Sequence, residues 1–115
     1  MKTFSVLLLL AFVLPTANAA ERSALRSPAT GVVCDAYLCA DASGVSAKLT
    51  RLWLGKRAGE RLIAQGEFDH SAFTFANGVY CDVKTRSCRK DRYFGADGQP
   101  SGALDIRTTR LLFGH

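Results

Sequence analysis

Histidine is scarce in this 115-residue chain, which holds only His70 and His115. His115 is the last residue and is expected to fray, so a histidine-based catalytic centre has little to build on. The four cysteines contain no C-x-x-C pair, which excludes a thioredoxin-like redox motif. Their spacings, C-x4-C and C-x6-C, also miss the C-x2-C of zinc ribbons. Asp91, Asp97 and Asp105 do not have the D-x-D-x-D-G spacing of a calcium loop. The one long apolar run, Phe4 to Leu14, has 11 residues, short of the roughly 20 that a bilayer-spanning helix needs. The chain is too short for a multidomain architecture or a long coiled coil.

What is present starts with a leader. Lys2 supplies a positive start, the apolar run follows, Pro15 breaks it, and Ala17-Asn18-Ala19 is an A-x-A cleavage site. Residues 1–19 are therefore expected to be a signal peptide. Its removal takes Lys2 away and leaves 96 residues with 14 Lys+Arg against 10 Asp+Glu, a net charge of +4. The first cysteine, Cys34, lies far beyond the cleavage point, so a lipid anchor is not expected. The product is expected to be soluble, in a periplasm or outside the cell, which also argues against a cytosolic nucleotide-binding fold.

An even number of cysteines in a short exported chain argues for two disulfides. Three connectivities are open, and local pairing, Cys34–Cys39 and Cys81–Cys88, is favoured because each pair sits on a short β-rich segment with a turn between. Local rings stabilise by roughly 2 kcal/mol each and crossed pairing by roughly 4, so proximity rather than energy makes the choice. An oxidising compartment disfavours the rival zinc site.

The sequence also repeats itself. Gly31-Val32-Val33-Cys34-Asp35 returns as Gly78-Val79-Tyr80-Cys81-Asp82, at an offset of 47. Thr50-Arg51-Leu52-Trp53-Leu54-Gly55 returns as Thr109-Arg110-Leu111-Leu112-Phe113-Gly114, at an offset of 59. The second copy has 12 extra residues: 2 inside the cysteine ring and 10 in the loop after it. Helix signals agree. Ser46 can cap a helix Ala47–Leu54 stopped by left-handed Gly55, and Asp105 one over Ile106–Phe113 stopped by Gly114. Leu49, Leu52 and Trp53 share one face and are expected in the core; Leu111 and Leu112 do similar work, with Ile106 or Thr108.

Residues 20–30 read as a flexible lead-in. Gly31–Asp35 and Tyr37–Ala40 are expected strands. A helix from about Lys56 to Gln65 should turn Ala58, Leu62 and Ile63 inward. Phe73 and Phe75 alternate with small residues as in a strand and should be core. Asn77-Gly78 signals a two-residue hairpin pairing Ala72–Ala76 with Val79–Val83. A third strand around Arg86–Tyr93 would complete a meander, with Ala96–Gly102 as a loop. The expected fold is α+β: a small antiparallel sheet with short helices, in two pseudo-repeated disulfide-stapled half-units, about 29–66 and 67–115, of a single domain, 31–115.

Chemistry is harder to place. Asp69-His70-Ser71 holds triad residue types, but chain neighbours do not converge as a triad does, and a polar turn before a strand is expected. Asp35 and Asp82 follow matching cysteines. They could act as a carboxylate pair only if brought within about 5–9 Å, and turn hydrogen bonding is the expected role. The best surface candidate is an arm at the second cysteine pair. Lys84, Arg86, Arg89, Lys90 and Arg92 are followed by Tyr93 and Phe94, a combination that suits phosphates, uronates or acidic protein surfaces. Against the single acid Asp91, these five cations by themselves match the net excess of the processed chain.

Taken together, Gly31–Asp35 with Tyr37 and Cys39-Ala40-Asp41, Leu54-Gly55, Phe73 through Asp82, Asp91-Arg92-Tyr93-Phe94-Gly95 and Thr109 through Gly114 resemble the YcgJ family, also called Fels prophage protein-like. The resemblance covers about Pro28 to Gly114. It implies a small exported four-cysteine protein of Gram-negative bacteria or their prophages, and it carries no catalytic residue over to this chain. The expectation is a non-enzymatic binding module of the envelope. It needs no cofactor and no metal, and it engages an anionic envelope component or acidic protein rather than nucleic acid. The alternative is a structural or stress-related periplasmic protein without a discrete ligand site.

Overall fold

The computed structural model describes residues 24–115; the expected signal peptide, residues 1–19, lies outside them. Four strands come first: β1 (Arg26–Ala29), β2 (Val32–Cys34), β3 (Cys39–Asp41) and β4 (Gly44–Val45). Two helices follow, α1 (Ala47–Leu54) and α2 (Lys56–Ala64). Then come β5 (Ala72–Thr74), β6 (Tyr80–Asp82), β7 (Ser87–Arg89) and α3 (Ile106–Phe113). Instead of one sheet there are two, both antiparallel, in the orders β1-β2-β3-β4 and β5-β6-β7. Together with the short helices and two disulfides they make an α+β fold.

The cysteines pair locally, Cys34 with Cys39 and Cys81 with Cys88. In both cases the partners stand directly opposite each other on adjacent strands, so each bridge staples one hairpin. The two half-units also share a latch. The Cys39 N–H donates to Thr50 Oγ1 at 2.9 Å, and that hydroxyl donates to the Ser46 carbonyl at 2.7 Å. The Cys88 N–H donates to Thr109 Oγ1 at 2.9 Å, whose hydroxyl donates to the Asp105 carbonyl at 2.7 Å. Ser46 and Asp105 are the helix N-caps, taking the amides of Leu49 and Thr108 on their side chains. A cap, a threonine one turn later and a cystine strand thus form one unit, built twice. Thr109→Val removes the acceptor of the buried Cys88 amide and is expected to lower stability by about 1–3 kcal/mol. Thr109→Ser should retain most of it, as chemical denaturation of both variants can check.

Several elements differ from the sequence reading. Arg26–Ala29 of the supposed lead-in forms β1, an irregular edge strand paired with β2. Its irregular register and Pro28 suit an edge, where a missing N–H goes unneeded. The Asn77-Gly78 turn is a three-residue loop, since Phe75 pairs with Val79 through a 2.8 Å bond and the Gly78 amide closes on the Phe75 carbonyl at 2.9 Å. A two-residue type I′ turn would need positive φ at both central residues, and Asn77 does not adopt it while Gly78 does, at 91°. Gly55 has a positive φ of 102°, but its ψ of 168° is extended rather than left-handed. The helix does stop there, with the Gly55 amide on the Arg51 carbonyl, and the chain swings directly into α2, which closes over α1 where Gly59 meets Arg51.

The main core joins both half-units: Val33, Ala40 and Val45 from the first sheet, Leu62 from α2, Phe73, Phe75, Val79, Cys81 and Cys88 from the second, and Leu112 and Phe113 from α3. Three expected core residues are not in it. Leu52, Trp53 and Ile63 are exposed, as is Ile106. For Leu52 the reason lies in Thr50, which is fully buried because its hydroxyl is needed by Cys39. Two residues on in a helix is a 200° rotation, so inward Thr50 puts Leu52 outward; Trp53 sits half-exposed beside Arg26, Ser27 and Pro28 of β1.

Candidate functional site

The arm begins in the turn between β6 and β7. Lys84 lies in that turn, and Arg86 closes it in the left-handed region, with φ of 51°. No other non-glycine among the described residues has a positive φ. Arg86 is held there from outside: its guanidinium donates to the Phe113 carbonyl at 3.0 Å and lies 5.3 Å from the centre of the Phe113 ring. Arg89 is committed too, donating to the Gly102 carbonyl at 2.9 Å. These two arginines therefore tie the second sheet to α3 and to the base of the loop after β7.

Lys90, Arg92, Tyr93 and Phe94 are different. They follow β7 at the end opposite Lys84, about 10 Å along a three-residue strand. All four side chains are exposed, Tyr93 by 64% and Phe94 by 55%. Phe94 meets Tyr80 edge to face, with ring centres 6.3 Å apart. A shallow cleft of about 330 Å³ runs beside them, walled by Lys90, Asp91, Arg92 and Tyr93 on one side and by Phe75 and Gly78 on another. The seven predicted contact residues thus divide into a pinned pair, Arg86 and Arg89, an isolated Lys84, and one continuous exposed group of four.

None of the arm's cations forms an ion pair among the described residues. All seven aspartates accept a backbone N–H in a turn or cap: Asp35, Asp41, Asp69, Asp82, Asp91, Asp97 and Asp105. This matches the turn role expected for Asp35 and Asp82, and it gives Asp91, Asp97 and Asp105 separate local duties. No cluster of three or more metal-ligating side chains occurs among the described residues. The ion pair found among them is Lys56–Glu60, long at 3.9 Å and well exposed. Asp69 and His70 do not form a relay: Asp69 accepts the Ser71 N–H and O–H, which hold its carboxyl below the usual range. His70 Nδ1 instead donates to the Val45 carbonyl at 2.8 Å.

The sequence reading missed a second basic surface. Between Ala47 and Ala64 stand Lys48, Arg51, Lys56, Arg57 and Arg61 against Glu60 alone, and all five cations are exposed. This stretch carries the same excess as the arm, so the arm does not hold the net charge by itself; acidic turns elsewhere offset one of the two. Counting charge helix by helix would have shown it.

Among the described residues, two stapled hairpins, three short helices and a chemistry of turns and exposed cations define a small disulfide-containing α+β protein. The family model described as YcgJ protein matches residues 25–113, and this chain belongs to that family. It is 52% identical over 97 residues, 84% of this chain and 80% of the relative, to "Uncharacterized protein YcgJ" of Escherichia coli (strain K12). No solved structure matches it.

Proposed function

We propose that the protein is exported to the periplasm or beyond and acts there as a non-enzymatic binding module for an anionic envelope component or acidic protein. The observation that carries this reading is the exposed group Lys90, Arg92, Tyr93 and Phe94 beside its cleft. Free guanidinium and ammonium groups supply charge-assisted hydrogen bonds, and two exposed rings supply stacking surface. The leader-like N-terminus and two disulfides support an oxidising destination.

The test compares capture of solubilised envelope components on the immobilised protein and on Lys90→Ala/Arg92→Ala. Arg86 and Arg89 are left intact, because their loss would disturb the fold. Retention is expected to fall as salt rises, and the double variant to lose about tenfold or more in apparent affinity. Unchanged capture by the double variant removes the arm from the function.

A further inference from the structure

The α1–α2 hairpin brings exposed apolar side chains beside exposed cations. Leu52 and Trp53 are 67% and 43% exposed at the end of α1. There Gly55 turns the chain at once into Lys56 and Arg57, so two apolar side chains adjoin a cationic helix start. The remaining cations, Lys48, Arg51 and Arg61, are spread along both helices, and only Lys56 has an acidic partner among the described residues. The corresponding position in the second half-unit shows that an exposed side chain is not demanded: Leu112 stands where Trp53 does and is 2% exposed. No helix among the described residues is long and apolar enough to cross a membrane.

We propose that this hairpin docks on an anionic lipid bilayer, lying along the headgroups with Trp53 and Leu52 at the interface and the cations against lipid phosphates. Tryptophan favours the interface because its ring is apolar and its N–H polar. Distributed lysines and arginines are drawn to an anionic surface in proportion to their number. Two apolar side chains are too few for the core of a protein interface, which covers about 800 Å² on each partner, but they suffice to anchor an electrostatically held helix pair. This surface is separate from the arm and does not depend on the function proposed for it.

Trp53 is the chain's sole tryptophan, so its fluorescence reports directly. Vesicles of mixed phosphatidylglycerol and phosphatidylcholine should shift the emission of the purified protein to the blue and carry it down on sedimentation. Pure phosphatidylcholine vesicles should do neither. Lys48→Glu/Arg57→Glu/Arg61→Glu should weaken binding at least about tenfold. Leu52→Glu, a single change at an exposed position, should also weaken it. Lys90→Ala/Arg92→Ala should bind as the parent does. The proposal is overturned if the anionic vesicles neither shift Trp53 nor sediment the protein, if the hairpin variants bind undiminished, or if the arm variant is the one that loses binding.

Discussion

Asp35→Ala is expected to lower the unfolding free energy by about 3–5 kcal/mol, enough to unfold a small domain at modest temperature. Asp35 is 2% exposed and has three backbone amides on its carboxylate. Tyr37 and Leu38 donate to Oδ1 at 2.7 and 2.8 Å, closing the turn between the first two cysteines. Ala76, 41 residues on, donates to Oδ2 at 2.7 Å and brings the tip of the β5–β6 hairpin against the first half-unit. Alanine strands all three donors at once. Asp82→Ala supplies the comparison: its carboxylate takes the Lys84 amide at an exposed turn, so its loss should stay near 1 kcal/mol or less. Asp35→Asn should fall between, because one face of the amide must offer N–H to a donor. The measurement is denaturant unfolding of the three variants. A loss below about 1 kcal/mol for Asp35→Ala would show that water reaches these amides and that the residue does not bind the halves together.

Gly44→Ala should destabilise by a similar amount, about 3–5 kcal/mol, from two sources that add. Its φ of 116° is one that side chains rarely adopt, which costs about 1–3 kcal/mol. A Cβ there would fall close upon the His70 carbonyl oxygen and 2.9 Å from its carbon, and overpacking of this kind costs about 1–3 kcal/mol more. The obstacle is backbone, and that backbone is engaged. The His70 carbonyl takes the Val45 amide at 2.9 Å while His70 Nδ1 donates to the Val45 carbonyl at 2.8 Å. Making room for one methyl group therefore parts the two sheets. Gly66→Ala separates the sources, since Gly66 has a φ of 80° with nothing within 4 Å of the added Cβ. It should lose only the conformational part, about 1–2 kcal/mol. If the two alanine variants melt together, the close approach at Gly44 is not holding the sheets.

The signals that were legible in the sequence are local ones. Ser46 and Asp105 announce their helices because a cap acts within four residues, and Gly114 stops α3 for the same reason. Phe73 and Phe75 are core by simple alternation, and the cystines pair across single hairpins. The features that escaped depend on partners distant in sequence. Thr50 is buried because a strand amide 11 residues earlier needs its hydroxyl, and no hydropathy pattern would rank it above Leu52 or Trp53. Arg86 and Arg89 look like free surface cations until carbonyls 27 and 13 residues later claim them. The structure thus divides the candidate segment, with Arg86 and Arg89 engaged within the fold. Its free part is the stretch from Lys90 to Phe94, and the helical hairpin went unnoticed because its apolar side chains were assigned to the interior.

The loop after β7 is where the second half-unit exceeds the first, and it is closed at its own base. The Lys90 amide donates to the Ala103 carbonyl at 2.8 Å, and the Ser101 amide to Tyr93 at 2.9 Å. Its two ends consequently sit side by side on a frame that the other half-unit completes with a much shorter connection. Arg92, Tyr93 and Phe94 belong to this added segment, whereas the cystine, cap and threonine belong to the frame. Such a segment resembles the variable loop of a binding scaffold: its length and residues can diversify among relatives, or be exchanged by design, while the frame beneath keeps its shape.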